Sequence, residues 1–288
     1  MNPPVTTQRI LYDVCRRSGL VPTGPNTNLD PDKAYEILGY MDDRLREAWE
    51  LYDFVETCFC EQRAFAPDFD PNVCYAQGDI VWDSCSGQYY QALAQTIGGP
   101  VSNETFWAPN PNVAIRWIPY WQDGHTPIGT CYSAWTKNPY EDKSRVRLRF
   151  LASSRGLEFT TTSTSNIVWL VFRIPYPGLA RAEWDPTLTY AKGDAALDGM
   201  DTYICSVEGT IGLQPSLTPA NWTQFRIPYP FSRFVAQAAF SDTLVTEGQN
   251  EKAPGELGKA YGYLQAAIDQ QDLQQGLLET WEGYSTLS

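Results

Sequence analysis

His125 is the only histidine in 288 residues, and this removes a large part of enzyme chemistry at once. A Ser-His-Asp triad would have to run through it, and a multi-histidine metal site cannot be assembled. It lies in Asp123-Gly124-His125-Thr126-Pro127, a turn-like stretch. The seven cysteines include no Cys-x-x-Cys pair, and Cys58 and Cys60, two apart, do not have zinc-knuckle spacing. They read as free thiols, although Cys74 and Cys85 fall in one short segment and could approach each other. Carboxylates are abundant, but none forms a recognisable catalytic pair with a motif around it. The expectation is a non-enzyme with no catalytic residue, no metal and no cofactor.

The aromatic residues carry a pattern that recurs. Tyr75, Gly78-Asp79, Tyr90, Pro100 and Trp107 are repeated as Tyr190, Gly193-Asp194, Tyr203, Pro215 and Trp222, with 32 residues from the first Tyr to the Trp in both copies. A second echo brackets them: Arg116-Trp117-Ile118-Pro119-Tyr120, Arg173-Ile174-Pro175-Tyr176-Pro177 and Arg226-Ile227-Pro228-Tyr229-Pro230. A fixed internal period marks a repeated structural unit. The reading is a discontinuous core at 1–68, 114–178 and 226–288, with inserted β modules at 70–112 and 180–225. In each module, short aromatic segments rich in Gly and Asn predict antiparallel strands. Tyr89 should face opposite to Tyr90 on a strand, which makes it the best exposed aromatic.

The core segments must position everything else. Thr6 or Thr7 can cap a helix over 6–18 that buries Ile10, Leu11, Val14 and Cys15 and stops at Gly19. A loop follows from Val21 to Asn28. Asp30, Pro31 and Asp32 then start a helix with the stripe Ala34, Ile37, Leu38, Met41, Leu45, Ala48, Trp49 and Tyr52. Phe54 to Phe65 reads as irregular or extended. Strands are expected at 129–132, 146–151, 157–161 and 167–173, the last in the sheet centre because it is apolar throughout. Arg145, Arg147 and Arg149 alternate with Val146, Leu148 and Phe150, which puts three charges on one strand face. A helix capped by Ser232 should bury Phe234, Val235, Ala238, Ala239, Thr243 and Leu244 and break at Gly248. The final helix, about 251–279, carries Leu257, Tyr261, Leu264, Ala267 and Ile268. Its glutamine-rich end loses the stripe, as either a segment awaiting a partner or a frayed exposed end does. The fold class is α+β: helical N- and C-terminal segments, a small antiparallel sheet and two small all-β modules.

The balance of 34 acidic to 21 basic residues gives a net charge of −13. A protein that grips nucleic acid needs a basic surface, and this chain has none overall. Acidity does suit a wall past which DNA slides without sticking, although solubility is the leading reason for most of these charges. No apolar run approaches the roughly 20 residues that span a bilayer, and the polar N-terminus lacks a secretory pattern, so synthesis in a cytoplasm is expected.

Three stretches carry a resemblance: Arg44-Leu45-Arg46-Glu47-Ala48-Trp49-Glu50-Leu51-Tyr52-Asp53-Phe54, the span Leu148 to Pro175, and Pro230-Phe231 through Ser241 to Ala253, then Gln274-Gln275-Gly276 and Trp281. Together they resemble the head-to-tail adaptor (connector, tail-tubular-like) proteins of tailed bacteriophages, over about 180 residues. The resemblance implies a virion structural protein at the head–tail junction, or neck, made in the host bacterial cytoplasm. It implies a ring, usually a dodecamer, docked on the portal protein, offering a landing surface to a stopper, tube or nozzle protein on the tail side. DNA would pass through the channel without sequence-specific binding, and no membrane is involved. Portal docking would fall on the C-terminal helix, at Gln265, Ile268, Gln271, Leu273, Gln274, Leu277 and Trp281. The two modules resemble small carbohydrate-binding modules of chitinases through Tyr-x-x-Gly-Asp, the second Tyr and the closing Trp. They depart from that family where its tryptophan pair should stand, with Ala92-Leu93-Ala94 and Ser206-Val207-Glu208. Tyr89, Trp107 and Trp222 are the candidate glycan contacts, and the alternative for the tryptophans is a place in the module core. A glycan-binding virion decoration is the second functional reading.

Overall fold

The structure, a computed structural model, describes residues 3–20, 30–109, 116–122, 124–159, 166–180 and 182–285, without the side chains of Arg116 and of 273–285. The loop at 21–28 and the strand end at 160–161 lie outside the described residues. The fold is α+β, with four α-helices and several small antiparallel sheets among the described residues. The chain divides into two compact units, one formed by 1–56 with 176–288 and the other by 57–175.

The first unit is helical. Helix α1 (Thr7–Arg17) starts at Thr6, whose side chain accepts from the Arg9 amide, and buries Ile10, Leu11, Val14 and Cys15. It ends in a Schellman turn: Leu20 N–H donates to Cys15 O at 2.9 Å and Gly19 N–H to Arg16 O at 3.2 Å, with Gly19 at φ +70°. Helix α2 (Pro31–Leu51) is capped by Asp30, with Pro31 in its first turn, and buries the expected stripe as far as Trp49. Tyr52 has already left the helix, with extended backbone.

Helix α3 (Tyr229–Thr246) begins three residues before the expected cap. Ser232 lies inside its first turn and donates to Tyr229 O, so it caps nothing. Proline at 230 supplies the start instead, because a first-turn residue needs no amide hydrogen. A second Schellman turn at Gly248 (φ +78°) closes α3, with Gln249 N–H on Leu244 O at 2.8 Å. Helix α4 (Ala253–Ser285) then returns antiparallel along it. Its buried positions are Ala253, Ala260, Leu264 and Gln271; of the expected stripe Leu264 is buried, Leu257, Ala267 and Ile268 are half-buried, and Tyr261 is exposed. Alanine lets the two helices approach until Ser241 Oγ donates to Ala253 O at 2.8 Å. Strand Val5–Thr6 pairs with Arg226–Ile227 and ties the start of α1 to the start of α3.

In the second unit the strand Ile167–Arg173 is central, as its composition predicted, between Thr130–Trp135 and Cys58–Ala64. Val168, Leu170 and Phe172 face a core shared with Ile118, Ile128, Ala134, Leu148, Leu157 and Phe159. The strand Cys58–Ala64 is the element the sequence leaves indefinite. Glu61 and Arg63 occupy core-side positions next to Leu170 and Val168, so hydropathy does not alternate there. The expected strand 146–151 is in fact split: Arg147–Leu148 pairs with Thr130–Trp135, and Phe150–Ser153 joins a separate sheet with Gly156–Phe159 and Arg116–Ile118. The three arginines therefore do not share one strand face.

The hairpin between Phe150–Ser153 and Gly156–Phe159 depends on Gly156. Its φ is +144°, and an added Cβ would meet Ile118 O at 2.1 Å. Backbone cannot move aside as a side-chain tip can, so Gly156→Ala should destabilise this unit by about 3 kcal/mol or more. Urea denaturation checks this, and an unchanged midpoint would mean that the Ile118 strand does not lie there.

Candidate interaction surfaces

The two modules have the same construction down to individual hydrogen bonds. Tyr75 Oη accepts from Asp70 N–H at 2.8 Å, and Tyr190 Oη from Asp185 N–H at 2.8 Å. Asp79 accepts from Ala76 N–H at 2.7 Å, and Asp194 from Ala191 N–H at 2.7 Å. Gly78 and Gly193 hold φ of +97° and +96°, which a Cβ-bearing residue rarely adopts. The Gly-Asp pair is thus a turn device: glycine makes the reversal and aspartate staples it. In each copy a two-stranded ribbon (Cys74–Tyr75 with Thr96–Ile97; Thr189–Tyr190 with Thr210–Ile211) sits on a three-stranded sheet.

The candidate glycan contacts need correction. Trp107 and Trp222 are each 1% exposed. Trp107 packs edge-on against Tyr75 and Phe69 and donates Nε1–H to Gly99 O; Trp222 packs edge-on against Tyr190 and donates to Leu213 O. Tyr89 does point away from the module core, but it is buried: its ring lies 4.6 Å from Trp82 and its hydroxyl bonds to Asn166 Oδ1. A ring with no open face cannot stack on a sugar. A module of about 40 residues has few large side chains to make a core, and it uses these.

The C-terminal helix candidates divide into three groups. Gln265 is exposed and bonds only along its own helix to Asp269, and Ile268 is half-buried. Gln271 is buried, donates to Asp53 O at 2.9 Å and accepts from Val55 N–H at 3.2 Å, so it is not a free docking residue. It holds the chain leaving α2 onto α4. Leu273, Gln274, Leu277 and Trp281 fall on the helical backbone, but their side chains lie outside the described residues.

Polar residues that periodicity could not flag tie the helices together. Arg44 on α2 reaches Asp242 on α3 through Nε and Nη2 at 2.8 and 2.7 Å, and Glu47 at 2.8 Å. The hydrogen bonds to Asp242 raise the Arg44 pKa above its ordinary value despite burial. Tyr261 of α4 donates to Glu47, and Tyr52 donates to Asp272, which pushes the Tyr52 phenol up to about 12. Asp42 is buried and accepts from Tyr176 Oη and Leu179 N–H, both at 2.7 Å. Trp49 lies between Tyr176 and Phe231 at 5.6 and 5.7 Å.

His125 sits in a structural cluster. Its Nδ1 is 2.6 Å from Glu61 Oε1, and the other Glu61 oxygen meets the buried Arg63 at 3.1 Å. Cys74 and Cys85 are both free thiols and do not pair with each other. Burial pushes the Cys15 thiol up to about 11 and the Cys131 thiol up to about 12. Among the described residues no group of His, Cys, Asp and Glu could hold a metal ion, and no helix is long and apolar enough to cross a membrane.

Charge is distributed unevenly. Residues 68–109 hold five acidic residues and no basic one, and residues 182–225 hold six acidic residues and only Lys192. These two spans thus carry ten of the thirteen net negative charges. Compared with models of known protein families and with curated protein sequences, the chain matches none.

Proposed function

We propose that this chain is a structural protein of a tailed-bacteriophage virion, a head-to-tail adaptor that forms a ring on the portal and surrounds the DNA exit channel. The observation that carries the reading is how the helical stretches of the resemblance meet. Arg44 and Trp49, from the first stretch, close on Asp242 and Phe231, from the last, through a two-point ion pair and a ring contact. The Glu247-Gly248-Gln249 junction of the last stretch forms the turn between α3 and α4. These residues make a scaffold that holds out α4, whose 33 residues extend about 50 Å at 1.5 Å per residue. A helix so much longer than an average one, tied to its own fold at Gln271, is suited to seat its far end on another protein.

In this reading the chain performs assembly and no catalysis. The ring docks on the portal through α4 and offers its tail-side surface to a stopper, tube or nozzle protein. The glycan-decoration alternative loses its support, because its three aromatic contacts are buried. Immunogold electron microscopy of intact particles with an antibody to this chain tests the proposal. Label confined to the head–tail junction is expected. Label over the capsid, along fibres or absent from particles would overturn it.

A further inference from the structure

The ribbon of module 1 exposes Ile97 to 66% and, beside it, Val73 to 44%. An apolar β-branched residue at such exposure has no role in the module's own core. Module 2 repeats it: Ile211, on the equivalent ribbon, is 53% exposed and Leu188 is 54% exposed. The same ribbon position thus carries an exposed isoleucine in both copies. In module 1 the span 68–109 that contains this isoleucine holds five carboxylates and no cation. Its counterpart must therefore be apolar with a basic rim.

The chain contains such a surface. A groove of about 630 Å³ is lined by Tyr132, Arg147, Leu148, Arg149, Phe150 and Leu151, where the chain crosses from one sheet to the other. Leu151 is 66% exposed, and Arg147 and Arg149 are both exposed at its rim. Neither arginine forms a salt bridge among the described residues. Groove and ribbon are both open in a single copy, so neither covers the other. Two ribbons cannot pair well, since the spans 68–109 and 182–225 that carry them each have a net charge of −5.

We propose that the Ile97 ribbon of one copy docks in the arginine-rimmed groove of a second copy. The contact is heterologous, so each added copy leaves one ribbon and one groove free, and the chain of contacts can close into a ring. Leu148, Phe150 and Leu151 receive the isoleucine, and Arg147 and Arg149 meet the carboxylates of module 1. Module 1 is the better fit, because Ile97 is 66% exposed against 53% for Ile211. The inference deepens the ring reading by naming the contact between neighbours, and it can fail separately, since it concerns purified protein and the ring reading concerns particles.

Sedimentation velocity of the full chain decides the matter. Wild type should associate in a concentration-dependent way, more weakly at 500 mM than at 50 mM salt, because exposed charge pairs are screened. Ile97→Asp, and separately Arg147→Glu with Arg149→Glu, should each weaken association by about tenfold or more. Ile211→Asp should leave it unchanged. Mixing the two damaged chains should restore a one-to-one pair, because each keeps the half that the other lacks; a misfolded variant could not do this. A monomeric wild type, association indifferent to either change, or loss on Ile211→Asp in place of Ile97→Asp would overturn the proposal.

Discussion

Trp107→Ala is expected to unfold module 1 while leaving the rest of the chain folded. The module's buried apolar core consists of Tyr75, Val81, Ala92 and Trp107, with Phe69, Tyr90, Val101 and Phe106 partly buried around it. Removing a buried tryptophan costs roughly 3–5 kcal/mol, from lost transfer energy and the cavity left behind. A unit of about 40 residues has little more than that in reserve. The indole also donates to Gly99 O, so truncation leaves that turn carbonyl without its partner. Hydrogen exchange read by mass spectrometry should show lost protection at Cys74–Tyr75, Ile80–Asp83 and Gln88–Ala92, with Ile167–Arg173 still protected. Trp222→Ala should do the same to module 2 around Asp201–Cys205, where Tyr190, Ala196 and Cys205 are the remaining buried core. Trp107→Phe should be milder, because the ring contacts with Tyr75 and Phe69 partly survive. Retained protection in Trp107→Ala would mean that the tryptophan is peripheral and would reopen its role as a ligand contact.

Glu61→Ala should cost about 3 kcal/mol or more, the second large effect. Arg63 is 1% exposed on the core side of the sheet, with its guanidinium over the Phe172 ring at 5.8 Å. Burial alone lowers its pKa, and Glu61 is the anion that opposes this shift. Arg63 Nη2 also donates to Thr126 O, and Arg63 Nε has no hydrogen-bond partner among the described residues. Deleting Glu61 therefore leaves a buried cation with two neutral acceptors, Thr126 O and Gln122 Oε1, and no counter-ion. Breaking one partner of such a pair is worth roughly 3–5 kcal/mol, and the 25% exposure of the Glu61 side chain favours the lower end. The paired change Glu61→Leu with Arg63→Met should be far milder, since replacing both charges with apolar groups removes the desolvation cost. Urea denaturation of the three chains measures both effects. If Glu61→Ala matched wild type, Arg63 would have to be reaching water, contrary to its burial.

Those two sites also mark how far the sequence could be read. The stripes of α1 and α2 were legible because one face of a helix repeats every three to four residues and the caps Thr6 and Asp30 announce it. The central strand Ile167–Arg173 was legible as an unbroken apolar run. Strand Cys58–Ala64 was not, because a charged pair that is neutralised only in three dimensions looks solvent-facing in one. The repeated Arg-Ile-Pro-Tyr-Pro shows the same limit. Tyr176 packs on Trp49 and bonds to Asp42, whereas Tyr229 opens α3 and stays partly exposed, although the five residues are identical. The Arg145–Arg149 alternation described a single strand face that the chain abandons by switching sheets between Leu148 and Phe150.

By itself the sequence determined the α+β class, the two repeated modules, the starts of α1 and α2, the stops at Gly19 and Gly248, and the concentration of charge. All of these depend on local geometry, spacing or counting, which one strand of text records in full. Only the tertiary structure decided which faces of the aromatics are covered, which glutamine of α4 is spent inside the fold, and which arginines line a groove. Those outcomes depend on residues far apart in the chain, as Tyr89 and Asn166 or Gln271 and Asp53 show. Burial is a property of what lies opposite, and a sequence does not say what lies opposite.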